Sequence, residues 1–417
     1  MNGLRACILR GSTCVLAVLV TWCASIGPAN AQRSPIPEAL GLSDIAGLDA
    51  DTERVSSPFA GLLVTPHGAR NTHDPGYGGT YNGTVAAYTA DQPAGHSQPD
   101  GYLRRFIVHV PEADALPAAR SAARILLTLL GQMHRHTGYD HPASARSLDV
   151  WLTAGPHTGV GGDIGGEQRG TSIYVFALSA ERTPLEWLRE LAHEYGHFAL
   201  PGIAGYTAPE EWANGLLGER LFLKWLAEDL GAGTLAATQA PYLDVKSIRT
   251  YVEKQVVPLI NRIARAGADP RSFRRRDAEG MDTFTALALY TDTVYGSTAL
   301  WNAFSYTSPQ KGPFPTGPDF YTGVTGSLQS RLTLRITPPV SPAQGAGEAF
   351  YAWLPRGDFA SARSPGSAWK IAFQPATDGR DDGSRLTVNR ADWVKIRVRS
   401  AAASPALTLR RLGAEVP

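Results

Sequence analysis

The middle of this chain contains a helix whose start and end are both marked in the sequence. Thr183 is a favourable helix N-cap, Pro184 suits the first helical position, and Glu186 completes a capping box with Thr183. A Pro-Gly pair directly after Leu200 stops a helix there. The sequence therefore predicts a helix that begins at residue 184 and ends near residue 200.

Two histidines, His193 and His197, are four residues apart inside this helix, and Glu194 directly follows the first. Residues four apart lie on one helix face about one turn from each other, so both imidazoles can reach a single metal ion. Glu194 falls on the flank of that face, where a carboxylate can accept a proton without binding the metal. We expect a zinc site with two histidine ligands and Glu194 as the catalytic base. The alternative is a pair of solvated surface histidines.

A third protein ligand is needed, because a catalytic zinc ion has three protein ligands and leaves its fourth position to water or substrate. In the metzincin pattern a histidine would stand at position 203, but this chain has Ile203 there. The third ligand is therefore expected among the acidic residues of the following segment.

The three glutamates that follow differ in the roles that their surroundings predict. Thr207 and Glu210 match a second capping box, and Glu211 in the first turn of the same predicted helix suits the helix dipole. Glu219 falls in the middle of an apolar stripe of that helix, where a carboxylate needs a cation. We therefore expect Glu219 to be the third zinc ligand. A buried glutamate paired with an arginine is the alternative.

The N-terminal segment has the features of a secretory signal peptide. Arginines near the start precede an apolar run from Cys14 to Cys23, and small residues lead up to Ala31. We expect residues 1–31 to be removed and the mature chain to be exported, secreted or periplasmic. The third cysteine, Cys7, also lies in this segment, so the mature chain would have neither a disulfide nor a thiolate ligand for zinc. No later run is long enough to span a bilayer.

The residue composition and the predicted secondary structure of the remaining chain change twice along its length. Residues 32–100 are rich in turn residues and predict an irregular or β-rich N-terminal extension. Residues 101–320 combine strand patterns (102–110, 148–153, 171–178) with helical patterns (113–137, 208–230, 244–266, 282–304) around the histidine helix. Residues 325–417 form short β runs between Pro and Gly clusters, which predict a β-sandwich-like domain.

The histidine helix followed by a glutamate-bearing helix resembles the gluzincin class of zinc metallopeptidases, over residues 102–305. The resemblance implies that a peptide substrate adds as a strand beside the edge strand 171–178, with Glu194 as general base. The stretch from Tyr295 to Trp301 is similar to a helix that carries a transition-state-stabilising tyrosine in related aminopeptidases, which makes Tyr295 a candidate oxyanion donor. The chain departs from the class because Asn214 precedes Gly215 and not the ligand glutamate.

The charge composition bears on the class of partner that the chain can bind. The formal net charge of +1 gives no electrostatic reason to bind nucleic acid. The combined expectation is an α+β protein of gluzincin type with zinc as cofactor, which hydrolyses peptide or protein substrates. Two alternatives are a non-catalytic binding protein on the same scaffold and a zinc hydrolase for a non-peptide amide or ester. Internal and terminal cleavage both fit the sequence, and no oligomeric state follows from it.

Overall fold

The computed structural model describes residues 52–56, 60–65, 72–90, 102–139, 147–155, 165–178, 181–236, 243–339, 348–373, 378–400 and 405–413. The protein is a mixed α and β structure with one large sheet, a set of helices and two smaller sheets in its C-terminal part. The predicted signal peptide and all three cysteines lie outside the described residues. Within the described ranges, no helix combines the length and apolar character that crossing a membrane requires.

Seven strands form the large sheet, in the order β1-β2-β5-β6-β7-β9-β8. Strands β6, β7 and β9 are parallel to one another, and β8 pairs antiparallel with β9 at one edge. Strands β3 and β4 form a separate hairpin. The nine strands are β1 Glu53–Ser56, β2 Ala60–Val64, β3 Thr72–His73, β4 Thr80–Tyr81, β5 Gly83–Ala90, β6 Tyr102–Val110, β7 Leu148–Leu152, β8 Gly166–Arg169 and β9 Ser172–Val175.

Two features of this sheet differ from the sequence expectations. The segment 32–100 supplies β1, β2 and β5, so its strands continue the main sheet. The expected edge strand, 171–178, is an interior strand, because β8 pairs on its outer side. Alternation of apolar side chains identified β9 correctly as a strand, but the short polar strand Gly166–Arg169 has no such pattern and was not foreseen.

The helices cover one face of this sheet and continue beyond it. They are α1 Leu116–Thr137, α2 Pro184–Ala199, α3 Asn214–Ala232, α4 Val245–Tyr251, α5 Val257–Ala266, α6 Ala278–Tyr295, α7 Ser297–Tyr306 and α8 Gly317–Ser330. A π-helical stretch, Val252–Val256, joins α4 to α5, and Gly296 separates α6 from α7 at a φ of 89°. Helix α3 begins six residues later than the pattern 208–230 predicts, and this shift decides the composition of the site described below.

The described C-terminal residues form two antiparallel sheets, and the predicted separate β-sandwich-like domain stays a prediction. One has the strand order β10-β17-β12-β15-β14 and the other β11-β16-β13. Their apolar residues join the helical region in a single hydrophobic core. The strands are β10 Thr333–Ile336, β11 Glu348–Leu354, β12 Gly357–Arg363, β13 Ser367–Ala372, β14 Gly379–Asp381, β15 Arg385–Val388, β16 Asp392–Ser400 and β17 Leu407–Arg411.

Candidate metal centre

Helix α2 begins as its local sequence predicts. The Thr183 hydroxyl accepts a hydrogen bond from the backbone N–H of Glu186 at 3.2 Å, and the Glu186 carboxylate accepts one from the backbone N–H of Thr183 at 2.7 Å. This reciprocal capping box satisfies two backbone donors at the helix start. It fixes the rotation of α2, with His193 and His197 on one side and Glu194 buried beside them.

The two histidines and Glu210 form one compact group. The Nε2 atoms of His193 and His197 are 3.3 Å apart, and each lies 3.1 Å from Oε2 of Glu210. Ligands that surround a zinc ion tetrahedrally at about 2.0–2.1 Å are separated from one another by about 3.3 Å. The three donor atoms therefore have the spacing of three corners of a zinc tetrahedron. Their chemistry, two imidazole nitrogens and one carboxylate oxygen, also suits zinc.

Each imidazole has a polar side chain near its other nitrogen. Asn214 lies with its Oδ1 3.1 Å from Nδ1 of His197, and its amide nitrogen donates to the carbonyls of His197 and Leu200. Glu219 lies with its Oε2 3.7 Å from Nδ1 of His193. Partners at Nδ1 fix the tautomer and the orientation of a histidine and leave Nε2 for the metal. Both Nε2 atoms consequently face Glu210.

The structure does not place Glu219 among the donor atoms, where the sequence analysis expected it. Its Oε1 accepts hydrogen bonds from Nε of Arg189 at 2.6 Å and from the Tyr251 hydroxyl at 2.7 Å, and its Oε2 faces the back of His193. The apolar stripe correctly indicated a buried carboxylate, because Glu219 is only 7% exposed. The cation that it meets is Arg189, which is the alternative considered above.

Glu210 takes the third position because the chain around it is a loop. The expected capping box does not form, since the N–H and hydroxyl of Thr207 both donate to the carbonyl of Arg276. Helix α3 starts only at Asn214, so Glu210 belongs to the connection between α2 and α3 and points back at the imidazoles. In the sequence, the only sign of this role is that Glu210 belongs to the segment directly after the histidine helix.

Glycines allow α2 and α3 to approach closely enough for this arrangement. A Cβ on Gly218 would lie 2.5 Å from Cα of Gly196, at the point where the two helices cross. A Cβ on Gly215 would lie 2.2 Å from Nε2 of His197 and 2.7 Å from Nε2 of His193. One face of α3 thus passes directly over the imidazole pair, where only glycine leaves room.

Glu194 is a buried carboxyl group beside the donor atoms. It is 4% exposed, and its Oε2 has no hydrogen-bond partner among the described residues. Burial raises the pKa of Glu194 to about 8, and the nearby Glu190 and Glu210 carboxylates contribute to the rise against the opposing effect of His193. Strand β8 passes close by, since a Cβ on Gly166 would lie 2.7 Å from Cγ of Glu194. A carboxyl group with a raised pKa is suited to taking up and returning a proton near neutral pH.

The carboxylates and the imidazoles of this group shift one another's pKa values. Burial acts to raise the pKa of Glu210, but hydrogen bonds from His193 and His197 outweigh it and hold the pKa at about 2. Burial likewise opposes protonation of His193, but Glu210 and Glu219 outweigh it and raise its pKa well above the ordinary value. The ionised carboxylates of Glu210 and Glu219 therefore lie on either side of His193 and favour positive charge there.

A cleft of about 490 Å³ opens above this group. Its walls combine the donor residues and Glu194 with the edge strand β8 on one side and the loop before α3 on the other. The lining residues are Gly166, Glu167, Gln168, His193, Glu194, His197, Gly202, Glu210, Glu211, Trp212 and Asn214. Among the described residues β8 is the last strand of the sheet, so the cleft runs between that edge and the three donor atoms.

Tyr295 does not reach the cleft. Its hydroxyl accepts a hydrogen bond from the N–H of Trp353 at 2.7 Å and lies 3.1 Å from the carbonyl oxygen of the same residue. Trp353 belongs to β11, an edge strand of the C-terminal part, so Tyr295 fastens that sheet to helix α6. The neighbouring Tyr290 donates similarly to the carbonyl of Tyr351. The expected oxyanion donor is therefore a buried structural residue.

Comparison with known proteins adds no family to this description. No protein-family model matches the chain, and no curated protein matches it in sequence.

Proposed function

We propose that this protein is a zinc-dependent peptidase. The observation that carries the proposal is the mutual spacing of three donor atoms, 3.1 to 3.3 Å, at the floor of a cleft bordered by an edge strand. His193, His197 and Glu210 would hold the metal. When bound there, zinc polarises a carbonyl group and acidifies water.

Glu194 is the residue that we assign to proton transfer. It lies in the cleft next to His193 and uses neither oxygen to hold the donor atoms. In its ionised form it accepts the proton of the attacking water, and it then delivers that proton to the nitrogen of the departing amine. Its burial favours the protonated form, which makes the carboxylate a stronger base than an exposed glutamate.

Strand β8 is the part that we assign to substrate positioning. It is the last strand of the seven-stranded sheet, and Gly166, Glu167 and Gln168 line the cleft. A peptide that pairs with the outer edge of β8 would be held extended along the cleft by backbone hydrogen bonds. Gly166 permits this strand to run close to Glu194.

The proposal includes export and follows from the N-terminal pattern of residues 1–31. N-terminal sequencing of the protein recovered outside the cytoplasm should begin at Gln32. A chain that retains Met1 in the cytoplasm would contradict this part.

Metal analysis and digestion of an unbiased peptide library test the function together. We expect about one zinc ion per chain, as three ligands and one open position imply, and cleavage that a chelator stops and added zinc restores. Bound zinc without turnover would favour a binding protein on the same scaffold. Turnover of esters or non-peptide amides without peptide cleavage would favour the other alternative.

A further inference from the structure

A second cleft, of about 420 Å³, continues from the metal centre toward the start of helix α2. It shares Gly166, His193 and Glu194 with the first cleft, so the two meet at the reacting position. Its remaining walls come from the residues just before α2, from the first turns of α2, from Glu219 and from the residue before β8. These residues are Gly165, Glu181, Arg182, Glu186, Arg189, Glu190 and Glu219.

Most charges in this second cleft already have partners. Arg189 is paired with Glu219, and Arg182 donates to the carbonyls of Phe176 and Ala177. Glu186 is engaged by its capping box with Thr183. The two arginines of the cleft therefore hydrogen-bond to groups other than Glu190 and act on Glu190 only through space.

Glu190 is different from these residues. Among the described residues its carboxylate has neither a hydrogen bond nor an ion pair, although it is only partly exposed and lies against Gly166. It stands one turn before Glu194 on the same side of α2, and Oε2 of Glu194 is also buried without a partner. Burial raises the pKa of Glu190, and the opposing effects of His193, Arg182 and Arg189 do not cancel this rise. Two carboxylates one helical turn apart also repel each other.

We propose that the second cleft is a substrate subsite for a cationic group, which Glu190 binds directly. The inference rests on the proposed peptidase function and adds a preference to it. The cation is an ammonium or guanidinium group, which comes either from a lysine or arginine side chain next to the cleaved bond or from the free amino terminus of the peptide. Its binding gives Glu190 a direct ionic partner, which none of the described residues provides.

Four peptides distinguish recognition of a cationic side chain from recognition of the free amino terminus. Each carries lysine or its uncharged analogue norleucine next to the cleaved bond, and each has a free or an acetylated amino terminus. If the side chain is recognised, the wild type should prefer lysine over norleucine on the order of tenfold to a hundredfold, whichever terminus is present. If the amino terminus is recognised, acetylation should produce a loss of that size, whichever side chain is present.

Variants of Glu190 test the assignment to that residue. In Glu190→Gln the preference for the cationic peptide should fall to about onefold, mainly through a higher KM for that peptide. In Glu190→Lys the preference should reverse toward glutamate-containing peptides. Glu253→Gln, an exposed glutamate of the π-helical stretch that lines neither cleft, is the control and should keep the wild-type preference.

A binding measurement keeps this test separate from the proposed function. Fluorescence anisotropy of the labelled peptides with Glu194→Gln, alone and combined with Glu190→Gln, reports recognition without turnover. An unchanged preference in both Glu190 variants would overturn the inference while leaving the peptidase standing. Absence of cleavage by the wild type for every peptide would instead overturn the proposed function, and the binding preference would still decide the role of Glu190.

Discussion

Oε2 of Glu219 lies 3.7 Å from Nδ1 of His193, on the side of the imidazole that faces away from Glu210. Arg189 and Tyr251 hold the other oxygen of Glu219, so this carboxylate is fixed by its own neighbours before it acts on the histidine. The resulting order is Arg189, Glu219, His193 and then the metal position. A carboxylate behind a ligating histidine orients the ring and increases its basicity. In the proposed zinc site, Glu219 would therefore support His193 and Glu210 would be the third ligand.

Glu210→Gln and Glu219→Gln should therefore weaken zinc binding to different degrees. Glu210→Gln removes a negatively charged ligand atom, and we expect the larger loss. Glu219→Gln changes only the support of His193, for which about 10-fold to 100-fold is the usual loss of metal affinity. Competition with a chromophoric zinc chelator measures both. A larger loss in Glu219→Gln than in Glu210→Gln would show that Glu219 is the ligand in solution.

The histidine helix could be predicted from sequence because its signals are local. The capping box of Thr183 and Glu186, the proline between them and the stop after Leu200 all act within a few residues, and the structure has them as expected. Strand β6 likewise has the predicted bounds, since alternation of apolar residues records which face is buried. Local patterns are sufficient where the signal, a cap or an alternation of apolar residues, lies within one helix or strand.

The third donor could not be chosen from sequence because distant contacts fix the loop that carries it. Thr207 donates to the carbonyl of Arg276, and the N–H of Ala204 donates to the carbonyl of Pro315, so distant residues hold the segment before α3. The same holds for Tyr295, whose hydroxyl meets the backbone of Trp353, 58 residues later in the chain. Sequence patterns reveal that a side chain is buried but not which remote group it meets.

Glu194→Gln should separate catalysis from metal binding. The glutamine has a similar shape but cannot take up a proton, so we expect kcat to fall about 10²-fold to 10⁴-fold. Zinc content should remain that of the wild type, because Glu194 is not one of the three donor residues. Parallel measurement of kcat and of bound metal checks both parts. Full activity would exclude Glu194 as the base, and loss of zinc would make it a ligand.

Three glycines of helix α3 provide a graded test of the helix crossing. In Gly218→Ala the new Cβ would meet backbone atoms, Cα of Gly196 at 2.5 Å and the carbonyl oxygen of Ala192 at 2.9 Å, which cannot move aside cheaply. We expect a loss of about 1–3 kcal/mol in the free energy of unfolding. Gly231→Ala is the matched control, because its Cβ would meet nothing within 4 Å and alanine favours the helix by up to about 1 kcal/mol.

Gly215→Ala should damage the metal centre more than the fold. Its Cβ would meet the Nε2 atoms of both histidines, which are side-chain atoms that can rotate away. The fold survives such a rotation, but the donor spacing does not, so zinc affinity should fall while the unfolding midpoint changes little. Denaturant unfolding of the metal-free protein and zinc titration of the same sample distinguish the two effects. Equal zinc affinity in Gly215→Ala and wild type would mean that the imidazoles are not held where the structure has them.

Tyr295→Phe should lower the free energy of unfolding without changing zinc binding or catalysis. The hydroxyl accepts from the N–H of Trp353 on an edge strand, and its removal leaves that buried donor without a partner, at a cost of about 1–3 kcal/mol. Thermal unfolding should shift down by several degrees, while zinc content and kcat/KM of the folded protein stay unchanged. Tyr306→Phe, whose side chain is exposed, is the control and should change neither. If Tyr295→Phe instead lowers kcat at an unaltered unfolding temperature, the tyrosine would act on the transition state, and the C-terminal sheet would have to move away from α6 during catalysis.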